Sequence, residues 1–108
     1  MVAEAGGRED ALEALQRMRQ ELRARLPELR ARYGVRSLAL FGSRVRGDAG
    51  PESDVDVLVD FDTPPGLIRL GRLEAELEAI LGHRVDLALA STLRPEVRTR
   101  LRREKVDV

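Results

Sequence analysis

Apolar residues recur every three or four positions from about Glu9 to Arg32: Leu12, Leu15, Met18, Leu22, Leu26 and Leu29, with charged residues between them. This spacing predicts one face of an amphipathic helix. Pro27 falls inside the pattern and, lacking an N–H, is expected to kink or split the helix. Gly34 is a natural stop. Val35 to Phe41 reads as a short buried strand, and Gly42 to Pro51 as a turn-rich segment in which Ser43 to Arg46 form one helical turn. The period then changes to two. From Ser53 to Phe61, Asp54, Asp56, Leu58 and Asp60 fall on one side and Val55, Val57, Val59 and Phe61 on the other, which predicts a strand with one face in the core.

Thr63-Pro64-Pro65-Gly66 closes that strand. A second helix follows over about Leu67 to Leu81, with Leu70, Leu73, Leu77, Ile80 and Leu81 inward. Arg84 to Ala90 alternates again, placing Asp86 opposite Val85, Leu87 and Leu89. Ser91 or Thr92 can begin a last helix running from about Pro95 to Lys105. The order α-β-β-α-β-α predicts an α/β fold with a small mixed β-sheet of three or more strands flanked by helices. Residues 1–8, which carry Gly6-Gly7, are expected to be a flexible end, and residues 9–108 a single domain.

Composition narrows the classes. The 108 residues hold 19 Lys+Arg and 19 Asp+Glu, and this zero net charge argues against strong nucleic-acid binding. Residues 94–108 are locally basic, the usual character of a solvated helix face. With no cysteine, neither disulfides nor thiolate metal sites can form. A lone histidine, His83, rules out a His-rich zinc site and reads as an exposed turn residue. No apolar run reaches the ~20 residues of a membrane span, and the first ten residues lack a secretory pattern. A cytoplasmic protein is the expectation.

The chemistry concentrates between Phe41 and Phe61. Asp54 and Asp56 are two residues apart on one strand face, roughly 6.6 Å along the chain. Carboxylates so placed can lean onto two divalent cations about 3.5–4 Å apart. Magnesium suits such a pair because it takes oxygen ligands and fills its remaining positions with phosphate and water. The wet side of an edge strand would show the same D-x-D, so the neighbouring residues decide. Gly42 follows a buried strand and, without a Cβ, allows a phosphate near the backbone. Ser43 opens a helical turn whose hydroxyl and free N–H groups can hold an anion. Arg44 and Arg46 can neutralise phosphate charge. Asp86, on the polar face of another predicted strand, supplies a third carboxylate if the two strands are neighbours. Asp60 reads as solvent-facing, and Asp48 and Glu52 as turn residues.

Gly42-Ser43, ten residues, Asp54-x-Asp56 and a later hydrophobic-Asp-hydrophobic at Asp86 resemble the DNA polymerase β-like nucleotidyltransferase superfamily. The string GSRVRGDAGPESDVDVLVDF is closer still to the minimal nucleotidyltransferases (MNT), the antitoxin partners of HEPN toxins. The resemblance runs from Tyr33 to about Pro95. It implies two Mg²⁺ ions and ATP or another NTP as substrate, with Gly42 and Ser43 on the terminal phosphates. It implies Asp54 and Asp56 bridging both metals and Asp86 completing the acceptor-side site. It further implies AMP transfer to a tyrosine of a HEPN-domain toxin. Two other readings stay open: an antitoxin that neutralises by binding alone, and a dimeric transferase for small molecules such as aminoglycosides. Larger relatives add a helical domain to grip the acceptor. In 108 residues that surface must come from a partner or a second copy of the chain, with exposed apolar residues on the first or last helix the place to look.

Overall fold

The computed structural model describes the chain from Val2 to Val108, with side chains from Asp10 onward. The segment 1–8, expected to be flexible, falls on Met1 and on side chains outside that description. The elements are α1 (Val2–Tyr33), β1 (Val35–Phe41), α2 (Ser43–Arg46), β2 (Val55–Phe61), α3 (Leu67–Leu81), β3 (Val85–Leu89), a 3-10 turn (Ala90–Thr92), α4 (Pro95–Glu104) and β4 (Val106–Asp107). They form one mixed sheet in the order β3-β2-β1-β4. β1 runs antiparallel to β2 and β4, while β2 and β3 are parallel and joined through α3. A parallel pair needs such a crossover, because no tight turn can return the chain to the same end.

The sheet has two unlike faces. Val55, Val57, Val59 and Phe61 are buried on one, together with Val35, Leu38, Leu40 and Val85. Leu15, Met18, Leu22 and Leu29 of α1 and Leu73, Leu77 and Leu81 of α3 complete this core. Full burial of each such side chain contributes about 1.5–3 kcal/mol, so the two helices are held mainly by apolar contact. A polar seam joins them as well. Tyr33 Oη donates to Glu76 Oε2 at 2.5 Å, and Arg32 Nη1 lies 3.0 Å from Glu76 Oε1. The hydrogen bond to Glu76, with burial, raises the Tyr33 phenol above its ordinary value and keeps it the donor.

Cross-strand partners lay out the opposite face in rows. Asp86, Asp56 and Phe41 form one row, and Ala88, Leu58, Ala39 and Asp107 the next; Asp60 and Ser37 face each other in a third. α4 and the 3-10 turn border the second and third rows. Together they enclose a cavity of about 540 Å³ lined by Leu58, Asp60, Leu93, Arg98, Leu101 and Arg102, among others.

Three expectations are corrected. The helix does not split at Pro27, and α1 passes through it as one element. Pro27 and Arg23 are both exposed, so water can satisfy the Arg23 carbonyl that Pro27 leaves unpaired, while Leu22 and Leu29 anchor the flanking turns in the core. Leu12, counted with the buried face, is 59% exposed. A 32-residue helix is about 48 Å long and a seven-residue strand about 23 Å, so α1 overruns the sheet. The last helix starts at Pro95 as expected, but its N-cap is Arg94 rather than Ser91 or Thr92, which lie in the 3-10 turn. Val106–Asp107 adds a fourth strand, within the three or more expected. Two residues are too few to show a period, and the pairing with Ala39 and Leu40 is set by tertiary packing.

Replacing Pro27 with Ala restores a backbone donor at an exposed helical site. Pro27→Ala is expected to stabilise the fold by about 2 kcal/mol, the helix gain of about 3 being offset by up to about 1 through a freer unfolded chain. Thermal and urea unfolding read the change; an unchanged or lowered midpoint would show that the helix depends on the proline.

Candidate active site

β2 carries the centre of the site because its alternation is strict. Val55, Val57, Val59 and Phe61 anchor it, which turns Asp56, Leu58 and Asp60 to the other side. Asp54 stands one residue before the strand and is exposed. Val55 N donates to Arg84 O at 2.8 Å, which pins the starts of β2 and β3 together. Asp56 then falls directly across from Asp86.

The acids feel one another. Burial raises the Asp56 carboxyl above its ordinary value, the charges of Asp86 and Asp54 raise it further, and Arg46 pulls it back. Neighbouring carboxylates impose this on one another when no cation is bound. Among the described residues no three or more His, Cys, Asp or Glu side chains form a ready-made metal cage. Asp56 and Asp86, paired across β2 and β3, offer the carboxylate oxygens that magnesium takes, its other ligands coming commonly from phosphate and water.

Gly42 closes the other side of the row. Its φ of 78° and ψ of −153° lie in a region essentially restricted to glycine. A Cβ built there would sit 2.0 Å from Asp56 Oδ2. The space left by the missing side chain is thus taken by the Asp56 carboxylate, whereas the sequence reading gave it to a phosphate. α2 follows at once. Gly42 O accepts from the amides of Val45 and Arg46, and Ser43 O from those of Gly47 and Asp48. The N–H groups of Ser43 and Arg44 find no acceptor within the turn and are the ones free for an anion.

The two arginines part company. Arg46 is exposed, reaches Asp48 at 3.3 Å, and is near enough to act on the charge of Asp56. Arg44 points elsewhere: its Nη2 donates to Ser53 O at 2.5 Å and lies 3.4 Å from His83 Nδ1. His83 is accordingly half-buried and partnered, a correction to its reading as an exposed turn residue. No spacing links Arg44 to His83, which lie 39 residues apart, so this contact had no signal in the sequence. Asp60 is half-buried, accepts from Phe61 N, and stands 3.7 Å from Arg36 Nη1. Asp48 and Glu52 are exposed turn residues, as expected.

Residues 15–108 match the protein family described as nucleotidyltransferase domain. The chain is 46% identical over 98 residues to the protein adenylyltransferase MntA of Thermococcus cleftensis, covering 91% of this chain and 99% of that protein. A solved structure assigned as a minimal nucleotidyltransferase aligns with a TM-score of 0.68 at 38% identity, over 82% of this chain and 94% of that one. A complex of the tri-AMPylated HEPN toxin of Shewanella oneidensis with an MNT antitoxin aligns with a TM-score of 0.60, over 83% of this chain and 70% of that one. At 18% identity that last likeness is one of fold.

Two substitutions test the geometry without any assay of activity. Asp56→Asn removes a charge whose folded-state carboxyl is raised, so the charged form costs stability once the pH exceeds the raised value. The variant is expected to melt a few degrees higher at pH 7, with the difference vanishing below the ordinary carboxyl value of 3.8. A lower midpoint at pH 7 would mean that Asp56 is not repelled by its neighbours. Gly42→Ala should cost about 2 kcal/mol or more in chemical denaturation, from backbone strain and the clash with Asp56. Gly34→Ala, also at positive φ (+72) but with open space around it, should lose less.

Proposed function

The chain belongs to the nucleotidyltransferase family, and from that premise we propose that it transfers AMP from ATP to a tyrosine hydroxyl of a HEPN-domain toxin, as that toxin's antitoxin. The observation that carries the chemistry is Asp56 facing Asp86 across β2 and β3, with Asp54 near enough to act on the charge of Asp56. The 46%-identical relative named a protein adenylyltransferase supports the donor and the kind of acceptor. The fold shared with an MNT antitoxin in complex with an AMPylated HEPN toxin supports the partner. In this reading residues 9–108 act as one nucleotidyltransferase domain, and ATP as donor places the activity in the cytoplasm.

Each group has a distinct task. The Ser43 hydroxyl and the N–H groups of Ser43 and Arg44 hold the outer phosphates, with Arg46 offsetting their charge. Asp54, Asp56 and Asp86 would hold two Mg²⁺ ions, which supply charge neutralisation at the α-phosphate and a more acidic acceptor hydroxyl. Asp86, on the outer strand of the acid row, takes the acceptor's proton. A bond forms between the acceptor oxygen and the α-phosphorus. The bond from that phosphorus to the β-bridging oxygen breaks, and pyrophosphate leaves with its electron pair. The acids stand on an open face, and the cavity beside Leu58 and Arg98 leaves room for a partner to approach it. Leu67 and Ile68, 87% and 76% exposed at the start of α3, and Leu12, 59% exposed on the first helix where such residues were expected, give a partner apolar contacts.

Incubation with a co-expressed HEPN partner, labelled ATP and Mg²⁺ is expected to label the partner on tyrosine. Asp54→Ala with Asp56→Ala should lower transfer at least ~10³-fold, as loss of a principal transition-state charge clamp does. Neutralisation of toxicity should fail with it. Full neutralisation by that double variant would establish the binding-only antitoxin instead, and label appearing only on small hydroxyl compounds would establish a small-molecule transferase.

A further inference from the structure

Arg44 is the least expected residue near the acids. It directly follows Ser43, yet its guanidinium turns from the phosphate side into the protein. Nη2 donates to the carbonyl of Ser53, the residue before Asp54, at 2.5 Å. The same nitrogen is 3.4 Å from His83 Nδ1. An arginine can only donate, so Nδ1 is the acceptor in this contact. Nε of Arg44 is sealed from solvent and has no partner among the described residues. Among the described residues no carboxylate pairs with this cation, and its acceptors are a carbonyl and an imidazole.

A half-buried charge held that way is costly, and a lysine or an apolar residue would avoid an unpaired Nε. Its position accounts for the arrangement. Arg44 belongs to the turn that presents Ser43. Ser53 leads into Asp54 and Asp56, and His83 leads through Arg84, whose carbonyl binds Val55 N, into Asp86. Three chain segments, each delivering one part of the site, meet at one planar group. A guanidinium suits this role because its donors are fixed in a rigid fork, so angles as well as distances are set.

We propose that Arg44 is a positioning residue that fixes the Ser43 turn relative to the acid-bearing starts of β2 and β3, through Ser53 and His83, and does not bind the nucleotide with its side chain. The proposal rests on Ser43 and the three acids forming one nucleotide site. It opposes the direct phosphate contact that the sequence suggested for Arg44. A phosphate ligand lost would weaken ATP binding. A misplaced turn would loosen the three segments in the free protein and slow the chemistry as well, since an error of about 1 Å in alignment costs on the order of 10²-fold in rate.

Kinetics and amide hydrogen exchange test the two halves separately. For AMP transfer, Arg44→Lys is expected to lower kcat by about 10²-fold, a larger change than any in KM for ATP. His83→Ala should lower kcat less, and the Arg44→Lys, His83→Ala pair should be no slower than Arg44→Lys alone, because both act through one contact. In Arg44→Gln, exchange should quicken about tenfold together at residues 42–47, 53–56 and 83–86, while the amides of α1 stay protected. A raised KM with kcat retained would overturn the proposal in favour of a phosphate ligand. Additive kcat losses, or faster exchange in α2 alone, would overturn it as well. Should the wild-type protein transfer no AMP to any acceptor, the proposed function fails, while the exchange measurement still decides whether Arg44 joins the three segments.

Discussion

The parallel pairing of β2 with β3 is the constraint on which the rest depends. It places Asp56 opposite Asp86 and carries Asp54 to the same end of the sheet. A slip of one residue would send the acids into the core and Val55, Val57 and Val59 into water. The energy resisting that slip comes from the far side of the sheet, where the three valines and Phe61 pack against Leu73 and Leu77 of α3 and Leu22 and Leu29 of α1. Apolar burial on one face thus holds together charges that repel on the other.

This division explains where strain is concentrated. The buried face of the sheet consists of apolar side chains. The costly features gather at the end of the sheet that carries the acids: a repelled carboxylate at Asp56, a glycine-only backbone at Gly42 and, turned into the protein, a guanidinium nitrogen of Arg44 with no partner among the described residues. Proteins retain such costs where function needs them and offset them elsewhere. A cation bound among the acids would turn the repulsion at Asp56 into attraction, so the apo site is poised to gain from binding.

Much of this was legible because period and burial are linked. The change from a helical spacing to strict alternation at Ser53 located β2 and told which side each Asp would take. The D-x-D, Gly-Ser and later Asp could be named as one site before any geometry was known. What could not be read depends on contacts without sequence period. Asp56 and Gly42 are fourteen residues apart, and only the antiparallel β1–β2 register, with Phe41 across from Asp56, shows that the missing Cβ makes room for a carboxylate. Pro27 was overestimated because local rules take no account of Leu22 and Leu29 holding the helix on either side.

The same reasoning separates two residues that looked alike in the sequence. Arg44 and Arg46 share a turn, a charge and an initial assignment to phosphate. On a four-residue helix they point about 200° apart, so one faces the body of the protein and the other solvent beside the acids. Arg46 acts on Asp56 through its field and stays free to meet an incoming anion. Arg44 is committed to Ser53 and His83 before any ligand arrives. A motif therefore fixes which residue types gather at a site, and the direction of each side chain from its backbone decides which of them touch the ligand and which hold the others in place.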